Sequence, residues 1–316
     1  MAGGCLDLVK IGDNTNLLLM VYVLCFCGFS VKSAMFPFSG WLPKASVAPT
    51  PVTALLHAVA VVNAGAFAIM RVTYYNFGTE FLRGSWAQTV VLVPVIFTIV
   101  YGCSRALKET HFKRRLAWST TSNLSYILFG AALMSPTGLV GALCHMVCHS
   151  VMKICAFLSA GSVIYKSGRE YVFQLNGLGR KMPRVFVIFT IAGLALMGVP
   201  GLCSFISKWN LVKAAMASTN PLAIAGIVAL LISALLTAIY MLTIVVQAFF
   251  PSKEVDLKST EEAEGASKKI VPYDEVTDPN WLMLVPLAIF AVAIIVLGLF
   301  PQPMINFFQE IAKDIY

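Results

Sequence analysis

The feature that most constrains this chain is a succession of apolar stretches, each long enough to cross a bilayer, separated by short polar loops. The last of them, 281–300, contains no Asp, Glu, Lys or Arg at all. A helix needs about 20 such residues to cross a hydrocarbon core of roughly 30 Å. Inside lipid the backbone must satisfy its own hydrogen bonds, so unbroken apolar runs imply helices, whereas barrel strands would alternate. Eight candidate spans follow: 16–35, 51–74, 87–105, 116–134, 138–165, 184–216, 221–250 and 281–300. The expected fold is therefore all-α and polytopic. With 12% charged and 58% hydrophobic residues the chain is excluded from the water-soluble, disordered and collagenous classes.

Two spans are expected to be discontinuous. Pro37 and Pro43 interrupt the first, and Gly198, Val199, Pro200 and Gly201 interrupt the sixth. The organisation reads as an N-terminal segment at 1–15, a seven-helix domain at 16–250, a charged loop at 251–280, and a last span with a C-terminal tail at 281–316. Residues 1–16 lack the basic, apolar and small-residue order of a cleaved signal. The cysteines lie mostly in apolar runs, where they read as small packing residues rather than a disulfide framework.

The net charge of +8 is explained by its distribution. Loops on one side of the alternating spans hold Lys44, Arg105, Lys108, Lys113, Arg114, Arg115, Lys166, Arg169, Arg180, Lys181, Arg184, Lys253, Lys258, Lys268 and Lys269. The other side holds Lys10, Arg71, Arg83 and Lys313. The positive-inside rule makes the crowded side cytoplasmic and puts both termini outside. No nucleic-acid partner is needed. In the loop at 251–280, Glu261, Glu262 and Glu264 near Lys268 and Lys269 fit either a solvated face or a docking surface.

Acidic residues fall only at span ends and in loops, whereas Lys32, Lys153 and Lys208 sit in apolar surroundings. Each such lysine costs about 2.5–3.5 kcal/mol to insert, which marks polar or hydrated interior sites. Lys32, near a span end, has snorkelling as its alternative; Lys153 in mid-span does not. The densest constellation is His145, His149 and Lys153, spaced by four and four along one helix face. Successive rungs rise about 6 Å, too far for direct hydrogen bonds but within reach of one or two waters, and imidazole both accepts and donates protons. A metal reading of Cys144, His145, Cys148 and His149 is weak, because adjacent residues point about 100° apart on a helix and no acidic ligand accompanies them; no metal is expected.

His57 is a fourth buried titratable group, alone on its helix and followed by the polar Asn63. In the fourth span Ser119, Thr120, Thr121, Ser122, Asn123, Ser125 and Tyr126 form a polar cluster. Ser122 and Tyr126 could hold water near the ladder, although hydroxyls also serve as plain helix-packing groups. Lys208 follows the break at Gly198 and Pro200, and a break at Pro37 follows Lys32. Broken helices expose carbonyls and dipole ends, which is where transporters bind ions. The alternative, that Pro and Gly only kink packed helices, leaves the accompanying lysines unexplained.

These residues resemble the antiporter-like subunits shared by respiratory complex I, membrane-bound hydrogenases and Mrp-type sodium/proton antiporters. The resemblance runs through Lys32, FPFSGWLP at 36–43, APTPVTALLH at 48–57, Ala64 and Gly65, Arg71, KRRLAWS at 113–119, Asn123 to Tyr126, the His145/His149/Lys153 ladder, Gly198 to Pro200, and FISKW at 205–209. It covers roughly 21–250. It implies a hydrated central axis through Lys32, Lys153 and Lys208, with His57 as the recurrent histidine of the following helix. Asn63 stands where some branches carry a further lysine. The Ser-Lys-Trp wording at 207–209 is nearer the hydrogenase and Mrp branch.

Such subunits have about fourteen spans in two inverted five-helix repeats, and this chain resembles the seventh onward: one full repeat and part of the other. The helix whose glutamate pairs with the lysine at the Lys32 position is absent. The resemblance implies a proton- or sodium-translocating subunit of a redox-driven complex in the cytoplasmic membrane. The chain has no cluster-binding cysteine pattern and no dinucleotide fingerprint, so iron–sulfur clusters and a nickel–iron or quinone site are expected in partner subunits. Those partners include a membrane polypeptide supplying the missing helices and an acidic group for Lys32, and peripheral redox subunits on the cytoplasmic side. The alternatives are membership of an Mrp-type antiporter and a non-conducting scaffold.

Overall fold

A computed structural model of the protein describes residues 14–251 and 270–315. The expectations placed on 1–13 and on Lys253, Lys258, Glu261, Glu262, Glu264, Lys268 and Lys269 lie outside the described residues. The principal helices are α1 (Thr15–Lys32), α2 (Thr50–Phe77), α3 (Trp86–Lys108), α4 (Phe112–Ala132), α5 (Pro136–Ser167), α6 (Pro183–Met197), α7 (Cys203–Met216), α8 (Leu222–Phe249), α9 (Trp281–Leu299) and α10 (Gln302–Ile315). No strand occurs among the described residues.

Six of these, α1, α2, α3, α5, α8 and α9, are long and apolar enough to cross a membrane on their own. The chain is an integral membrane protein. The two remaining expected spans are the exceptions that define the interior. Helix α4 is too polar to qualify, yet every residue from Arg115 to Met134 is buried. It is enclosed by α2, α3, α5, α7 and α8, so it never meets lipid and has no need of an apolar surface. The sixth span is split into α6 and α7, as the glycines at 198 and 201 led us to expect.

The long α5 lies against α2, α4, α6, α7, α9 and α10 and has 67% of its apolar window buried, against 22% for α1 and for α9. Thus α4 and α5 form the axis of the bundle and α1 and α9 its edges. Helix α5 starts on Ser135, whose hydroxyl accepts from the Gly138 amide, and stops at the left-handed Gly168.

Two features differ from expectation. Helix α2 is wound as a π-helix over Leu56–Ala60 and again over Val72–Phe77. Nothing in the alternation of apolar residues marks an inserted residue of this kind. The segment after the last span, expected as a tail, is helix α10. Its Ile305, Phe308, Ile311, Ala312 and Ile315 recur at helical spacing and pack on the core. At fourteen residues it is too short for a bilayer-length window to find.

Candidate functional site

Lys153 sits at the centre of α5, fully buried. Its ammonium donates to the Leu116 carbonyl at 3.0 Å and the Ser119 hydroxyl at 2.6 Å, both on α4. Lys208, half-buried on α7, donates to the carbonyls of Leu196 at 2.7 Å and Met197 at 3.1 Å. These are last-turn carbonyls of α6, left without helical partners because Gly198 turns into the left-handed region at φ 93° and ends the helix. A cation at a helix C-terminus is favoured by its dipole as well. The break thus builds the acceptor that holds the lysine.

Lys32 is different. It is the last residue of α1 and lies exposed on the edge of the bundle, with no carboxylate near it among the described residues. The first break, at 33–37, therefore does not mirror the second: one lysine precedes its break at the surface, the other follows its break and reaches back to the freed carbonyls. Helices α1 and α2 cross closely here, since a Cβ on Gly65 would lie 2.9 Å from Lys32 Cβ.

Between Lys153 and Lys208 lie the two ladder histidines, both fully buried. Their ring centroids are 6.4 Å apart and neither bonds to the other, as the helical rise requires. His145 Nδ1 is 2.8 Å from the Ser207 hydroxyl on α7, and its ring is 5.1 Å from that of Tyr126. Tyr126 in turn lies under the Lys208 ammonium, 5.3 Å from it. His149 has no protein partner at either nitrogen, and His145 Nε2 has none.

His57 on α2 has one nitrogen 3.3 Å from the Ser46 hydroxyl and stacks on Phe157 at 4.9 Å. Its Nδ1 is unpartnered. Asn63 donates to the Ala58 carbonyl and to Ser150, each at 2.8 Å. The π-turn releases that carbonyl, and Asn63 closes it. The carboxamide oxygen of Asn63 remains unpartnered, as do the buried Thr121 Oγ1, Asn123 Oδ1 and Ser204 Oγ. Ser122 donates to the Ile99 carbonyl at 2.7 Å and lies 2.9 Å from Ser233, whose hydroxyl is 2.6 Å from that of Tyr126.

A buried polar atom without a partner costs about 1–3 kcal/mol, and native structures meet such needs with ordered water. Eight of the twelve such atoms found among the described residues belong to α2, α4, α5 and α7. No group of three or more His, Cys, Asp or Glu side chains converges among the described residues. Outside the spans, burial pushes His111 below its ordinary pKa, opposed by the Glu170 carboxylate 3.7 Å away.

Sequence reasoning missed Ser46, Ser150 and Ser207, single hydroxyls whose role appears only across helix interfaces. It also missed Ser233, Thr237 and Tyr240 on α8, although their spacing of four and three in an otherwise apolar helix is a readable stripe.

Residues 4–249 match the family model described as NADH:quinone oxidoreductase/Mrp antiporter, TM. Among curated relatives, the chain is 30% identical over 299 residues to NADH-quinone oxidoreductase subunit N of Desulforudis audaxviator, covering 93% of this chain and 57% of the relative. It is 33% identical over 294 residues to a probable K(+)/H(+) antiporter subunit of Rhizobium meliloti, covering 92% of this chain and 27% of the relative. Among solved structures, a chain of the membrane-bound sulfane sulfur reductase, an archaeal respiratory membrane complex, superposes with a TM-score of 0.80 at 25% identity, over 95% of this chain and 57% of the other. The chain thus spans little more than half the length of these proteins, or less.

Proposed function

The chain belongs to the NADH:quinone oxidoreductase/Mrp antiporter family, and on that premise we propose that it is an ion-translocating subunit of a redox-driven complex in the cytoplasmic membrane, of the hydrogenase-like or complex I-like kind. The reading is carried by the buried, unpartnered imidazole nitrogens of His145 and His149 on the path from Lys153 to Lys208. In this mechanism a proton on Lys153 passes through water to His149 and His145 and on to Lys208. The carbonyls of Leu196 and Met197 hold that amine charged until it discharges. Iron–sulfur clusters and a nickel–iron or quinone site belong to partner subunits, with peripheral redox subunits on the cytoplasmic side and both termini of this chain outside.

Sealed vesicles carrying the assembled complex test it. Electron donor alone is expected to acidify the lumen; acidification only under an imposed sodium gradient would instead favour the Mrp-type antiporter, and none under either would leave a scaffold.

Lys32 supplies a second expectation. An exposed amine at the edge of a membrane bundle calls for an acidic group, and none lies near it among the described residues. A membrane helix beyond them, on a companion polypeptide, is to place a carboxylate within a few ångströms or one water of Lys32. A structure of the intact complex with lipid alone against Lys32 removes this pairing.

A further inference from the structure

The buried polar groups on α3, α4 and α8 join Lys153 to Tyr126 by a second route that avoids the histidines. Ser119, which accepts from Lys153, faces the Tyr240 hydroxyl across the α4–α8 contact. Tyr240 donates to Thr237 at 3.2 Å, and the Thr237 hydroxyl, which rests on the Ser233 carbonyl at 2.7 Å, must rotate to serve the next group. The Cys103 thiol bridges the next gap, 3.6 Å from the Thr237 hydroxyl and 2.9 Å from that of Ser233. Ser233 meets Tyr126 at 2.6 Å, with Ser122 bracing it at 2.9 Å. All of these side chains are at most 1% exposed. The contrast with the ladder is physical: His149 is unpartnered at both nitrogens, whereas from Tyr240 to Tyr126 each group already touches the next.

We propose that Tyr240, Thr237, Cys103 and Ser233 form a hydroxyl-and-thiol branch that carries protons between Lys153 and Tyr126 in parallel with the imidazole ladder. The inference rests on the translocation reading above. When Lys153 releases its proton to Ser119, each O–H, and the Cys103 S–H, passes its own proton to the next group. Ser233 passes its proton to Tyr126, and Tyr126 releases its own through water to the Lys208 amine once that amine has discharged, so that an N–H bond made there replaces the one broken at Lys153. Only O–H, S–H and N–H bonds form and break, one of each made for one lost, and rotation of the hydroxyls resets the chain. Three hydroxyls and a thiol face one another here inside a membrane bundle, each carrying a polar desolvation that an apolar residue in the same space would not.

Parallel routes add, so two losses together exceed the product of each alone. In vesicles carrying the complex, Tyr240→Phe and His149→Leu are each expected to keep about half the proton flux per electron transferred. The double variant should fall below about a tenth, rather than the quarter that independent effects would give. Cys103→Ala should behave as Tyr240→Phe, and Cys103→Ser should restore the flux, which a merely structural thiol would not require. Wild-type flux in Tyr240→Phe, a double variant no worse than His149→Leu, or Cys103→Ser as low as Cys103→Ala would each overturn the branch. Lys153→Met run alongside separates the failures: if that variant pumps normally the translocation reading falls, and if it is dead while the branch variants are wild-type only the branch falls.

Discussion

Replacing Lys153 by Met is expected to abolish coupled ion transport, with a flux at least about a hundredfold below wild type, the scale of removing a positioned proton-transfer group. The complex is nonetheless expected to assemble. Lys153 is at the crossing of α4 and α5, in line with the imidazole ladder on α5 and bonded to Leu116 and Ser119 on α4. Met has nearly its length, is apolar, and adapts to irregular cavities. The carbonyl it abandons is not stranded, since Leu116 also accepts from Thr120 at 3.2 Å. Removal of the buried amine also relieves an insertion cost of about 2.5–3.5 kcal/mol. Arg is expected to fail equally, because a guanidinium does not release its proton in this pH range. Lumen acidification against electron transfer in the same vesicles measures both, and pumping at the wild-type ratio by Lys153→Met would end the relay.

The spans and the second break were legible because their causes are local. Apolar length decides membrane insertion, and Gly198 and Gly201 announce the positive φ angles that the structure adopts. The ladder was legible because a helix converts spacing into a shared face. What stayed hidden depends on other helices. That α4 can be the most polar span and still the most enclosed follows from its five neighbours, not from its own residues. The acceptor of Lys208 is a pair of carbonyls, and a carbonyl has no letter in a sequence. The π-turn at 56–60 gives Asn63 its role, and its inserted residue leaves the apolar pattern intact. Lys32 carries the sharpest lesson: the lysine and its following proline suggested an interior site, but burial is a property of the assembly, and the described helices leave that residue at an edge.

Gly298 is where an added methyl group is expected to hurt the fold most. It lies near the end of α9, against the turn between α6 and α7, and a Cβ built there would meet the Gly201 carbonyl oxygen and lie 2.5 Å from Leu202 Cα and 2.6 Å from Leu202 C. These are backbone atoms, which cannot rotate away as the tip of a side chain can. Gly298→Ala must push α9 off the break, and overpacking of this kind costs about 1–3 kcal/mol. Gly298→Val should cost more. Because the same turn presents the carbonyls of Leu196 and Met197 to Lys208, lost stability is expected to come with lost transport. Gly201→Ala provides the contrast: its φ of 87° strains an L-residue by about 1–2 kcal/mol, yet nothing lies within 4 Å of the new methyl group. Thermal unfolding of the purified complex should therefore show Gly298→Val as the least stable of the three. Gly201→Ala is expected to weaken only the turn, and Gly298→Ala to loosen α9 as well, which protease accessibility of the α9–α10 connection at 300–301 would report. If Gly298→Val unfolds with the wild type and pumps normally, α9 is free to move at this crossing and the break does not depend on it.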